Sequence, residues 1–339
     1  MYKRAAALLG VVMLVAGLPL LTARSALATS SVLATVKVGA LPTGIGVNPV
    51  TNRIYVANTN SGTVSVIDGR SNRVVATIPV GITPFGLAVN PKTNRVYVTH
   101  YNFAGSLSVI DGATNQVMTD IPLQHNSLYL AVNSVTNRIY VANQSSNFTP
   151  GSNDDGTLSV VDGASNTVLT TVTVGAFLEG VAVDERTARV YIGNLIRGTV
   201  TVFDGMNNTV TGTITLPAPA GGDVRPIGLA VNARPYRLYV GGLDTSSLYT
   251  INTSSNRVVA TLPNVPAPWG IAVNQDTDVV YVANNAGSSL TAVDAKRNSV
   301  IGSLPAGLNP IGVATNPRTN LVYAANSSDG TVTVVGGTG

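Results

Sequence analysis

Apolar and polar positions alternate along this chain in runs of four to six residues, and nearly every run ends at Gly, Asn, Asp or Pro. The runs are rich in Val, Ile, Thr and Tyr, which suit the pleated, half-buried surface of a strand. One stretch shows the unit plainly: Gly86-Leu87-Ala88-Val89-Asn90, then Arg95-Val96-Tyr97-Val98, then Ser106-Leu107-Ser108-Val109-Ile110-Asp111-Gly112. A fourth run like Val74-Val75-Ala76-Thr77-Ile78-Pro79 closes each unit. Beyond the first 28 residues, no long window carries a helical period.

The unit recurs seven times. Aligning on one tyrosine picks out Tyr55, Tyr97, Tyr140, Tyr191, Tyr239, Tyr281 and Tyr323, at spacings of 42, 43, 51, 48, 42 and 42. Four short strands per unit and seven units predict an all-β fold, a seven-bladed β-propeller of four-stranded antiparallel blades over residues 29–339. Strands A to D then run from the axis outward. Residues 32–38 read as a strand D, whereas the chain ends after a third strand, Thr331-Val332-Thr333-Val334-Val335. The N-terminal strand is therefore expected to complete the last blade and remove an open edge. Tyr97-Val98-Thr99-His100, Tyr55-Val56-Ala57-Asn58 and the Val-Ile-Asp-Gly turns resemble the YVTN β-propeller repeat family over nearly all of residues 32–335. That resemblance implies the propeller fold and an extracytoplasmic setting, as in surface-layer and exported bacterial proteins. It implies no common activity, because propellers host unrelated sites.

Charge changes the picture once the N-terminus is considered. Residues 1–28 read as a secretory signal: Lys3 and Arg4, an apolar run from Ala5 to Leu21, then Ala26-Leu27-Ala28 as a small-x-small cleavage site. An uncleaved anchor is the rival reading. Cleavage removes Lys3, Arg4 and Arg24 and takes the formal charge from +4 to +1. The expected product is secreted or extracytoplasmic, monomeric and without a transmembrane segment. Scattered cations at so low a net charge argue against nucleic acid. With no Cys there are no disulfides, thiolate metal sites or Cys nucleophile.

Most recurrent polar residues have structural readings. Asp68, Asp111, Asp162, Asp204 and Asp294 end strand C and are expected to shape the C–D turn. Arg53, Arg95, Arg138 and Arg318 follow the A–B turns, where their stems can cover neighbouring blade edges. Asn58, Asn143, Asn194, Asn284 and Asn326 end strand B, with His100 and Gly242 in the other two blades, and are expected to adopt a left-handed turn conformation. Gly44, Gly86, Gly180, Gly228, Gly270 and Gly312 recur in strand A, where backbones crowd near the axis.

The exceptions to the repeat are the functional candidates. Loops Asn143 to Gly156 and Ala218 to Pro226 are lengthened, and both belong to the face carrying B–C and D–A connections. The only histidines, His100 and His125, fall on that face. Tyr129 stands where the other blades have Gly. The residues just before that ring are Thr43, Phe85, Leu128, Glu179, Ile227, Trp269 and Ile311, with one charge and the only Trp. Arg197 and Arg225 lie in neighbouring loops.

Three readings stay open. These residues could simply close the channel in a structural envelope protein. They could form a binding site for a small molecule, glycan or protein, with Phe85, Tyr129 and Trp269 as apolar walls and His100, His125, Glu179, Arg197 and Arg225 supplying polar contacts. They could instead be a lactonase-like hydrolase or a lyase centred on Glu179, His100 and His125, the one reading that would call for a divalent metal; no cofactor is otherwise expected. No phosphate loop or nucleophile elbow is present. Asn153-Asp154-Asp155-Gly156 offers oxygens for calcium but lacks the alternation of a calcium loop, so a solvated turn is the expectation.

Overall fold

The computed structural model describes residues 31–144, 156–218 and 223–338. The leader, most of the Asn153-Asp154-Asp155-Gly156 turn and parts of both lengthened loops lie outside these residues. Among the described residues, all regular structure is strand, arranged as seven antiparallel sheets of four strands. Numbering blades in chain order, the innermost strands A are Pro42–Asn48, Pro84–Asn90, Ser127–Asn133, Leu178–Asp184, Pro226–Asn232, Pro268–Asn274 and Pro310–Asn316. They pack against one another in sequence around a central axis, and the seventh packs on the first. The closing strand is as expected. Val32–Lys37 pairs antiparallel with Thr331–Gly336, placing Val36 opposite Val332 as the fourth strand of blade 7.

Burial explains the alternation seen in the sequence. Outer strands such as Arg73–Pro79 hide only alternate side chains, whereas strand B residues such as Ile54 to Asn58 are buried on both sheet faces. The core lies between blades. Tyr55, Val64, Val66 and Ile78 of blade 1 meet Leu87, Val96, Val98 and Ile110 of blade 2. The seven aligned tyrosines are all fully buried. Their hydroxyls reach toward the next blade, as where Tyr281 donates to Thr338 O at 3.1 Å.

Polar side chains knit the ring together. Asp68 Oδ1 accepts the amides of Arg70 and Ser71 at 3.0 and 2.9 Å, and those bonds hold its carboxyl below the usual range. Arg95 and Arg138 donate through their guanidinium groups to Gly163 O and Gly205 O of the following blades. They join blades by hydrogen bonds as well as by their stems.

The asparagines ending strand B differ from expectation. None of the five has a positive φ. Left-handed asparagines lie in the A–B turns (Asn52, Asn94, Asn137, Asn320), in the C–D turns (Asn72, Asn115, Asn166, Asn208, Asn256, Asn298) and in the D–A connections (Asn126, Asn264, Asn309). Asn58 instead buries its amide, donating to Thr63 Oγ1 at 3.1 Å and Ser65 Oγ at 2.9 Å. Its Oδ1 accepts Gly39 N at 3.1 Å. A buried amide must be satisfied on both its donor and acceptor sides.

A second amide ring closes the opposite face. The last residue of strand A donates to the left-handed Asn of the next blade: Asn48 to Asn94 at 2.7 Å, Asn90 to Asn137 at 2.8 Å, Asn274 to Asn320 at 2.9 Å and Asn316 to Asn52 at 2.8 Å. Between blades 3 and 4 the acceptor is missing, because the position belongs to Ala188, left-handed at φ 56°. Asn133 Nδ2 is consequently buried without a partner. Ala188→Asn should relieve both faults. It is expected to raise stability by about 1–2 kcal/mol, from a recovered hydrogen bond and a residue suited to that φ. Urea denaturation checks this, and a variant no more stable than the parent refutes it.

Candidate functional site

At the loop-face end of the axis, the residue before each ring glycine turns its carbonyl onto the glycine of the preceding blade. Phe85 O faces Gly44, Leu128 O faces Gly86, Trp269 O faces Gly228, Ile311 O faces Gly270 and Thr43 O faces Gly312, so a Cβ at any of these would collide with backbone. Close approach explains the glycine ring. Ile227 O faces Gly180 in the same way, and only the junction of blades 3 and 4 breaks the pattern. Tyr129 replaces the glycine, and the Glu179 carbonyl packs on Gly193 of its own blade. Gly180 is the only ring glycine with positive φ, at 72°.

Inside the ring lies a cavity of about 130 Å³, walled by backbone at the glycines and by side chains such as Phe85, Leu87, Tyr129, Leu229 and Trp269. Among the described residues none of its lining side chains is charged. The aromatic groups form one connected cluster. Trp269 Nε1 donates to the Tyr129 hydroxyl at 3.2 Å across the axis. Phe85 meets the Tyr129 ring edge-to-face, with centroids 5.6 Å apart, and Tyr101 lies 6.2 Å beyond Phe85.

Glu179 stands beside Tyr129 at the rim. Gln144 Nε2 donates to its Oε1 at 3.0 Å and lies 3.4 Å from Leu178 O. Oε2 is buried without a partner of hydrogen-bonding geometry. Desolvation pushes the carboxyl up to about 7, against the opposing influence of Tyr129 and Gln144. Burial, then the Glu179 charge, raises the Tyr129 phenol well above its ordinary value. Gln144 follows Asn143 immediately, and nothing in the sequence marks it out. Its role depends on a neighbour 35 residues away.

The histidines do not join this cluster. His100 is buried, with Nδ1 on Ile82 O and Nε2 on Ser108 Oγ, both at 2.8 Å. Ser108 in turn donates to Asp120. Blade 1 has Asn58, Ser65 and Thr77 in these places, so His100 is a variant of the same cross-strand peg. Neither of its ring nitrogens is left for a ligand. His125 is exposed, bonds Phe103 O through Nδ1, and lies against the Phe103 ring with centroids 4.5 Å apart. The convergence of Glu179, His100 and His125 needed for a metal or hydrolytic centre is therefore absent. Among the described residues no trio of His, Asp or Glu could hold a metal ion. Arg225 is engaged by Asp244, Arg197 is exposed on its own loop, and neither lines the cavity. Of the eight candidates, the structure brings together Phe85, Tyr129, Glu179 and Trp269.

No protein-family model matches the chain, and no curated protein matches it. Among solved structures, it is similar to the hydrazine synthase of Kuenenia stuttgartiensis. The TM-score is 0.75 at 18% identity, covering 87% of this chain and 95% of that chain. A likeness at that identity is one of fold, and the fold shared is the seven-bladed β-propeller.

Proposed function

We propose that this chain is an exported binding module that takes a small molecule into its axial cavity through the mouth formed by Phe85, Tyr129 and Trp269. The signal-like leader and the YVTN-like repeats support export. The observation carrying the binding reading is the break in the glycine ring: a phenol and a carboxyl enter the one junction where backbones fail to meet. A structural role alone would favour glycine there, as in the other six blades. A cavity of this size suits about six heavy atoms, since an engineered apolar cavity of similar volume holds benzene.

Trp269 is the only tryptophan, so its emission reports on the site directly. A small-molecule screen read by Trp269 fluorescence is expected to find ligands that shift it. Tyr129→Gly restores the residue used by the other blades and should leave the thermal midpoint within a few degrees. The same variant should weaken ligand binding tenfold or more. Undiminished affinity would refute the site.

A further inference from the structure

Among the described residues, the side-chain N–H donors and the Thr43 hydroxyl at the mouth are already committed. Trp269 Nε1 bonds Tyr129, Thr43 Oγ1 bonds Phe85 O, and Gln144 Nε2 bonds Glu179. The group left open is an acceptor, Glu179 Oε2. Among the described residues, the groups facing that carboxyl are Tyr129 and Gln144, and neither brings a positive charge. Among the described residues the remaining donor is the Tyr129 hydroxyl, which faces Glu179, so an anionic ligand would meet a carboxylate once Glu179 ionises. A cation would find the opposite: three aromatic rings whose faces carry negative potential, and a carboxylate that lacks a counter-ion among the described residues.

We infer that the ligand is a small organic cation, an amine or quaternary ammonium group of about five to seven heavy atoms, held by Phe85, Tyr129 and Trp269 with Glu179 as its counter-charge. This rests on the pocket reading above and narrows it to one chemical class. Tyr129 links the two parts of the site, lining the cavity with its ring while its hydroxyl faces the carboxyl. A bound cation would also relieve the cost of ionising a buried, unpaired carboxyl. Binding should therefore strengthen as pH rises through about 7, where Glu179 loses its proton.

Three probes of similar shape and different charge test this: tetramethylammonium, tert-butanol and pivalate, titrated at constant ionic strength and read by Trp269 fluorescence. At pH 8, tetramethylammonium is expected to bind at least tenfold more tightly than tert-butanol, with pivalate weakest. The preference should shrink at pH 5.5 and vanish in Glu179→Gln, a near-isosteric change whose folding is checked by its thermal midpoint. Equal binding of tert-butanol, or a preference that persists in Glu179→Gln, overturns the cation assignment and leaves the pocket standing. Silence from all three also overturns the assignment. The broader screen then decides the pocket reading independently.

Discussion

A chain beginning at Gly39 is expected to melt at least ten degrees below one beginning at residue 29, because it lacks the strand Val32–Lys37. That strand hydrogen-bonds Thr331–Gly336 along its length and continues through Val38 N to Gly330 O at 2.9 Å. Val36 belongs to a core cluster containing Ile45, Ile54 and Ile67 of blade 1 as well as Val332 and Val334 of blade 7. The strand thus seals the junction between first and last blades. Losing buried Val36 costs about 2 kcal/mol. Half a dozen ladder bonds at about 0.5–1 kcal/mol each bring the loss to about 5 kcal/mol. At roughly 2 °C per kcal/mol for a chain of this length, the midpoint falls by ten degrees or more. The exposed edge of Thr331–Gly336 should also promote aggregation. Scanning calorimetry of the two chains reads the effect, and a peptide of residues 31–38 added in excess should restore much of it. A fall under about 3 °C would show that the ring does not depend on this closure.

Glu179 should make stability depend on pH in the sense opposite to an ordinary ion-paired carboxylate. Its carboxyl rises from 4.5 to about 7 on folding. Between those values the folded chain keeps a proton that the unfolded chain has released, so stability declines as pH increases. Below 4.5 both states are protonated and the contribution is fully present. Above about 7 the folded state must carry the buried charge and the contribution is gone. At 1.36 kcal/mol per unit, the difference is at most about 3 kcal/mol. Glu179→Gln cannot ionise, so it should match the parent near pH 4 and exceed it by about 2–3 kcal/mol at pH 8.5. Urea denaturation at the two pH values decides this. A difference that stays constant with pH would show that the carboxyl is not desolvated in the folded chain.

Both predictions begin from features legible in the sequence. Seven copies of one unit act as an internal alignment, so Tyr129 and Glu179 stand out without reference to any other protein. The same alignment misled where a residue type was assigned a local reason. The asparagines after strand B suggested left-handed turns, because Asn tolerates that conformation. Their actual partners, such as Ser65 for Asn58, lie across the sheet. His100 suggested a site for the same reason. Only the pairing of Ser108 with Asp120 shows that blade 2 has changed two residues of one cross-strand peg together. Gln144 was invisible, since an amide beside a lengthened loop has no meaning until a carboxyl is placed against it.

What the sequence alone determined is the architecture: strand period, blade number, ring closure and the places where the repeat fails. These follow from side-chain alternation and turn residues, which act over a few neighbours and recur in every unit. What only the tertiary structure decided is which exceptions meet. Tyr129 and Trp269 are 140 residues apart and share a hydrogen bond because all seven strands A converge on one axis. His125 and Glu179 arise on one face, but the first ends in solvent and the second against Gln144 and Tyr129. Burial makes the difference. Near the axis a polar group must find a partner or hold its proton, and the strand pattern of a single blade carries no record of what its neighbours supply.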